Sequence, residues 1–331
     1  MSTREDALAY VALDRKAIDT PQGKLVAMFG LGAELYVEPR ERRQLRLDML
    51  SVQEDYYRRF PSSMDLMRFV SEANPEGTLV VLKKAENPFL AVRQSIGNWP
   101  TDRAYTNAIV RRFSHPDYPE SENTVTPWLS NILVAPETSD ELSYYASCMT
   151  VGDEQGRLRF DELRDCVLDW AELLRPAHGS AGFTVIMELG VSIISAAPYA
   201  YATLQQYPGL DIQVPVSFIG KTQGVFNRIK CVNWLTILGD AILEELGGIS
   251  IVRRALEPEC TLHSYSGGII VQAGSTPRLG DAQRGHIPEQ YRKVAQFTKP
   301  VRFMDYESAL FRVFGPMSGR EETEKWVKRF D

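Results

Sequence analysis

A chain of 331 residues, 44% hydrophobic and 24% charged, is long enough to bury a large core without a disulfide or metal staple. Its formal charge of -6 argues against sequence-independent nucleic-acid binding, which needs a basic surface to displace counterions from phosphate. Cys148, Cys166, Cys231 and Cys260 form no CxxC pair and no metal-ligand pattern, so they read as reduced, buried thiols.

Residues 1–10 carry Arg4, Glu5 and Asp6 and no apolar stretch, which does not read as a secretory signal. Residues 24–37 are apolar and read as strand, broken by Gly30 and Gly32. Residues 38–60 read as a helix, with Pro39 in its first turn and Pro61 as its stop. This segment is basic, with Arg40, Arg42, Arg43, Arg46, Arg58 and Arg59. Residues 78–82 and 87–92 read as short strands. Residues 114–125, rich in Pro, Asp, Glu and Ser, read as an exposed loop. Residues 128–135 and 144–151 read as strands. The polar turn at 152–157 reads as a boundary between an N-terminal half, 1–152, and a C-terminal half, 153–331.

The second half opens on a helix at 160–174, closed by Pro176 and Gly179. Residues 183–195 read as a buried strand; the apolar run to Pro198 is interrupted by Glu188 and is shorter than the ~20 residues of a membrane span. A short helix at 198–204 and an extended segment at 212–219 follow. Residues 233–246 read as a helix ended by Gly247 and Gly248. Residues 250–256 add a helical turn or two. Residues 261–265 and 268–273 flank Ser266-Gly267 as a hairpin. Helices are expected at 288–298 and 320–329. Strands and helices mix without regular βα alternation. The expected fold is therefore α+β, with mixed or antiparallel sheets packed with helices and room for two similar-sized subdomains.

Residues 29–35 begin like a dinucleotide fingerprint, but Leu35 stands where the third glycine belongs and Tyr36-Val37 continue a strand. Those glycines read as turn residues. Asp240, His263, Asp281 and His286 are the only scatter from which a hydrolytic or metal site could be built. No pair of histidines has the spacing that places two on one helical face, and Asp281 reads as bonding backbone amides in its own turn. No metal and no cofactor is expected.

On the helix at 160–174, Glu162, Asp165, Asp169 and Glu172 fall within roughly 80° of one another, opposite Leu163, Cys166, Val167 and Trp170. Four carboxylates on one exposed face repel unless something positive meets them, so this ridge is the first candidate for a partner contact. Glu120, Glu122, Glu137, Asp140 and Glu141 rank second.

The phrases Cys-Val-Asn-Trp-Leu-Thr-Ile-Leu-Gly-Asp (231–240), Glu-Glu-Leu-Gly-Gly (244–248), Gly-Gly-Ile-Ile-Val-Gln-Ala-Gly (267–274), Pro-Arg-Leu-Gly-Asp (277–281), Lys-Pro-Val-Arg (299–302) and Trp-Val-Lys-Arg-Phe-Asp (326–331) carry a resemblance. Together they resemble the bacterial type VI immunity family associated with VRR-Nuc effectors. The resemblance is specific over roughly the last hundred residues and looser before residue 150. It implies a non-catalytic antitoxin that silences a nuclease delivered by a type VI secretion system, while the lack of a readable export signal gives the expectation of a cytoplasmic address. The implied partner has a restriction-endonuclease-like fold, of VRR-Nuc or Tox-REase type, and is neither nucleic acid nor membrane. Monomer and homodimer both stay open. The alternatives are an enzyme of unknown chemistry around Asp240, His263, Asp281 and His286, and a scaffold protein of the secretion apparatus.

Overall fold

The structure, a computed structural model, describes residues 10–112, 125–187, 193–316 and 318–331. The expected loop at 114–125, with Glu120 and Glu122, lies outside the described residues except for Val125. The strands of the first half are β1 (Ala17–Asp19), β2 (Leu25–Val37), β3 (Leu66–Ser71), β4 (Asn74–Val81), β5 (Tyr105–Val110), β6 (Leu129–Val134) and β7 (Ser143–Met149). Those of the second half are β8 (His178–Met187), β9 (Asp211–Ile212), β10 (Leu235–Gly239), β11 (Thr261–Tyr265) and β12 (Gly268–Gln272). All join one 12-stranded sheet, ordered β11-β12-β10-β8-β2-β7-β6-β5-β3-β4, with β1 added to β2 and β9 to β8. Every pairing is antiparallel except β8 with β9.

β2 is the spine of the sheet. Its 13 residues are buried throughout, and it pairs with β7 on one side and β8 on the other. A strand covered on both faces has no reason to alternate polar and apolar residues, which accounts for its continuous apolar sequence. Gly30 and Gly32 do not break it. They let neighbours approach: a Cβ on Gly32 would lie 2.6 Å from the Gln213 side-chain amide and from the Thr184 methyl.

The helices among the described residues are α1 (Arg42–Arg59), α2 (Pro88–Asn98), α3 (Phe160–Leu174), α4 (Ile193–Gln206), α5 (Pro215–Ile219), α6 (Asp240–Glu245), α7 (Ile249–Leu256), α8 (Glu289–Phe297) and α9 (Gly319–Val327). The architecture is thus α+β, as expected. α3 lies on one face of the sheet, where Trp170 meets Tyr145 and Phe160 meets Phe183. α5 lies on the opposite face, where Phe218 meets Tyr36 and His178.

Several expected elements are corrected. α1 starts at Arg42, because Glu41 caps it by accepting the Arg43 and Gln44 backbone N–H groups at 3.0 and 2.5 Å. Residues 87–92, expected as strand, open α2: Asn87 accepts the Leu90 N–H at 3.2 Å and Pro88 takes the first helical position. The strand expected at 183–195 is shifted, since β8 ends at Met187 and α4 begins at Ile193. Of residues 212–219 only Ile212 lies in a strand, at the end of β9, because Pro215 starts α5. Residues 233–246 are not one helix. Leu235–Gly239 form β10, buried between β8 and β12, and only the residues from Asp240 turn helical. A short apolar run buried on both sides has no period that separates strand from helix.

Only part of the basic segment around α1 reaches the surface. Arg42 and Arg46 are buried. Arg42 donates to the carbonyls of Ala135, Pro136 and Ser139, and Arg46 to those of Trp99, Pro100 and Arg103. Two guanidinium groups here serve as struts for two surface loops.

Candidate functional site

α3 forms where the sequence places it, residue for residue. Its apolar stripe of Leu163, Cys166, Val167 and Trp170 is buried against the sheet and α1. Asp161 and Glu162 in the first turn suit the positive end of the helix dipole. The four ridge carboxylates lie on the solvent side. Glu162, Asp165 and Asp169 keep 50%, 55% and 63% of their side-chain surface exposed.

Each ridge carboxylate also has a partner within the chain. Glu162 pairs with Arg159 at 2.5 Å and Asp165 with Arg164 at 2.9 Å. Asp169 pairs with Arg59, which also holds Asp55 at 2.7 Å and so ties α3 to α1. Glu172 accepts the Ser266 N–H at 2.9 Å and the Ser266 hydroxyl, which hold its carboxyl below the usual carboxylate range and join α3 to the β11–β12 turn. With Asp55 and Asp161 counted, six carboxylates stand against five guanidinium groups, those of Arg58, Arg59, Arg159, Arg164 and Arg175, so the face keeps a slight acidic excess. Exposed pairs of this kind add about 0–1 kcal/mol each to stability, and their main effect is to orient the ridge.

The second-rank cluster lies elsewhere, on the loop braced by Arg42. There Glu137 accepts the Thr101 hydroxyl at 2.6 Å.

Asp240, His263, Asp281 and His286 are engaged separately. Asp240 is exposed at the start of α6. His263 contacts the Gln272 side-chain oxygen, 2.8 Å away on the next strand. Asp281 accepts the N–H groups of Gln283 and Arg284 at 3.0 and 3.3 Å, as expected, and its backbone pairs with His286. Among the described residues, no three His, Cys, Asp or Glu side chains are grouped as a metal ion requires.

The polar cluster that sequence reasoning missed is internal. Lys230 is 2% exposed and sits between Glu34 of β2 and Asp211 of β9. Its ammonium donates to Glu34 and to the Ile212 carbonyl at 2.9 Å, and lies 2.9 Å from Asp211. Asp211 also accepts from Ser180 at 2.8 Å, Cys231 at 3.3 Å and the Ile212 N–H at 2.7 Å. Burial alone would raise Asp211, but Lys230 and Arg329 outweigh it and hold its carboxyl low. Glu34 has fewer donors, chiefly Lys230 and the Tyr36 hydroxyl, so burial wins and its carboxyl is pushed up. His178, stacked on Tyr36, is pushed down to about 3 by burial and by Lys230, and is neutral. The one sequence signal was Glu34 itself, a single carboxylate inside a 13-residue apolar strand.

The distinctive phrases of the second half meet around this network. Residues 231–240 lead into and form β10, and residues 267–274 contain β12 beside it. Arg329 of the terminal phrase donates to the carbonyls of Pro208 and Val232 at 2.7 and 3.2 Å. Asp331 receives Arg302 at 2.7 Å and Lys299 at 3.2 Å.

These phrases build an α+β protein with one antiparallel-dominated sheet, an exposed acidic helix and a buried ion network. The family profile described as type VI immunity for VRR-NUC matches residues 153–330, more than half of the chain. The protein belongs to this family of type VI immunity proteins. Among solved structures, the Pseudomonas aeruginosa T6SS protein PA0821 is similar at a TM-score of 0.77 and 18% identity, over 99% of this chain and 90% of that one, which shows the same fold. No curated protein matches the chain. No helix among the described residues is long and apolar enough to cross a membrane.

Proposed function

We propose that this protein is a cytoplasmic, non-catalytic immunity protein that binds one cognate VRR-Nuc effector and occludes its DNA-binding groove or active site. The observation that carries this reading is the family match over residues 153–330. The exposed acidic face of α3 supports it physically. A nuclease must present positive charge to DNA phosphates, and an acidic inhibitor is steered to that groove and competes for it. The contact residues in this reading are Glu162, Asp165, Asp169 and Glu172. An interface of standard size buries about 1,600 Å² in total, more than one helix face supplies, so neighbouring surface contributes too. Residues 1–152 and 153–331 form the two halves of the protein in this reading.

The test is co-expression with a candidate VRR-Nuc effector, pull-down, and calorimetry on the purified pair. Combined Glu162→Lys, Asp165→Lys, Asp169→Lys and Glu172→Lys should slow association and weaken binding by about tenfold or more, most strongly at low salt, with the circular dichroism spectrum unchanged. Unchanged affinity would reject this face as the contact. Failure of the unaltered protein to bind the nuclease or to protect cells from it would reject the immunity reading.

A further inference from the structure

α2, α1 and α3 lie side by side on one face of the sheet: α2 packs on β3, α1 on β6, and α3 on β2 and β8. α1 stands between the other two and touches both. Toward α3 it turns Asp55 and Arg59, which hold the Trp170 indole and the Asp169 carboxylate. Toward α2 it turns Glu54, Tyr57 and Arg58, which with Pro61 and the first turn of α2 line an open groove of about 550 Å³. The acidic ridge and the groove therefore flank a single helix.

The charges of the groove are matched within the chain. Arg93 donates to both oxygens of Glu54 at 2.6 Å, and Arg58 lies 3.9 Å from Asp55. The Asn87 side chain is committed to capping α2. These groups favour neither sign of charge in an occupant. What stays unsatisfied is apolar surface. The rings of Phe89 and Tyr57 meet at 5.6 Å between centroids, and Leu90 beside them is 50% exposed. α2 buries Phe89, Val92 and Ile96 at helical spacing, and Leu90 falls outside that stripe. Its side chain therefore adds little to the core.

The size of an interface connects groove and ridge. A standard interface takes about 800 Å² from each partner. With about 1.5 Å of rise per residue and a diameter of about 10 Å, the outward side of the 15-residue α3 projects only about 220 Å². The outward sides of α1, α2 and α3 together project about 660 Å². A partner seated on the ridge reaches the standard size by crossing α1 to the groove.

We propose that the effector interface runs from the acidic ridge across α1, and that the groove between α1 and α2 takes an apolar side chain of the cognate effector against Tyr57, Phe89 and Leu90. The inference rests on the immunity reading above and deepens it. The two flanks of α1 then divide the work. The ridge steers the encounter and sets the association rate, while the groove desolvates an anchor and sets the lifetime of the complex. A concave apolar site rimmed by mutually paired charges is where interfaces concentrate their energy, because the rim keeps water out.

The experiment is calorimetry with a catalytically inactivated candidate VRR-Nuc effector. The unaltered protein is compared with Leu90→Asp, Leu90→Ala and Val216→Asp. Val216 is 57% exposed on α5, on the opposite face of the sheet, and serves as the control. Leu90→Asp keeps the backbone N–H that Asn87 caps and puts a negative charge in the first turn of a helix, so thermal melting should hold. It should weaken binding by about 30-fold or more, and Leu90→Ala by about fivefold, while Val216→Asp should stay within about twofold. The loss in Leu90→Ala should be the same at about 50 mM and about 500 mM salt, since apolar burial is not screened. Full affinity in Leu90→Asp, beside a binding unaltered protein, overturns the groove and leaves the immunity reading intact. An equal loss in Val216→Asp, or a Leu90→Ala loss that vanishes at high salt, overturns it as well. Absence of binding by the unaltered protein overturns the immunity reading and this inference with it.

Discussion

Replacing Lys230 by Met removes the only ammonium between two buried carboxylates while keeping an unbranched apolar stem of similar length. Lys230 and Glu34 are each 2% exposed and Asp211 is 6% exposed, so water cannot take over the lost interactions. Removing one partner from a buried pair costs about 3–5 kcal/mol, because the other charge stays behind unpaired. The lost bond to the Ile212 carbonyl adds about 1 kcal/mol. Two features hold the total near the lower end. Asp211 keeps Ser180, Cys231 and the Ile212 N–H, and Glu34, already pushed up by burial, can take a proton. The expected loss is about 4 kcal/mol, which at roughly 2–3 °C per kcal/mol for a chain of this size lowers Tm by about 8–12 °C. Calorimetric melting at about pH 5 and about pH 8 should show a smaller loss at the lower pH, because burial raises the Glu34 carboxyl and lower pH favours its protonation in the variant. Adding Glu34→Gln should recover most of the loss, since it removes a stranded charge without changing shape. A loss under about 1 kcal/mol, or no recovery in the double variant, would refute the assignment of this cluster as an interdependent ion network.

The other predictions concern local devices. Asp14 accepts the Val151 and Gly152 N–H groups at 2.7 and 3.3 Å and ties the amino-terminal segment to the mid-chain turn, while burial pushes its carboxyl from 3.8 up to about 7. The folded protein therefore holds this proton more tightly than the unfolded chain. Its stabilising effect is complete below about pH 3.8 and is lost as pH rises through about 7. Relative to Asp14→Asn, the unaltered protein should lose Tm steadily between about pH 4 and about pH 8, and a gain over that range would contradict the burial argument. Asp281→Ala removes an acceptor for two backbone N–H groups at the head of the 282–284 turn and should cost about 0.5–2 kcal/mol in thermal melts. Intact stability together with lost protection from the toxin would show instead that Asp281 belongs to the interface.

Elements governed by local rules were legible in the sequence. The 3.6-residue apolar period located α3, the Ser266-Gly267 turn located the β11–β12 hairpin, and a lack of βα alternation indicated α+β. The phrases from Cys231 onward carried the family. The Asn87-Pro88 start signal of α2 was present in the sequence too, although the apolar residues after it read as strand. What the sequence determined by itself is thus the order and type of its periodic elements, because caps, turns and periodicity act over a few residues. Only the tertiary structure decided that Leu235–Gly239 is strand, that Arg42 and Arg46 point inward, that the acidic ridge leans on Arg59 and Ser266, and that Lys230 meets Glu34 across 196 positions of chain. Those outcomes depend on which neighbour a segment finds in the sheet and on where a charge finds its counterpart, and no short window of residues contains either fact.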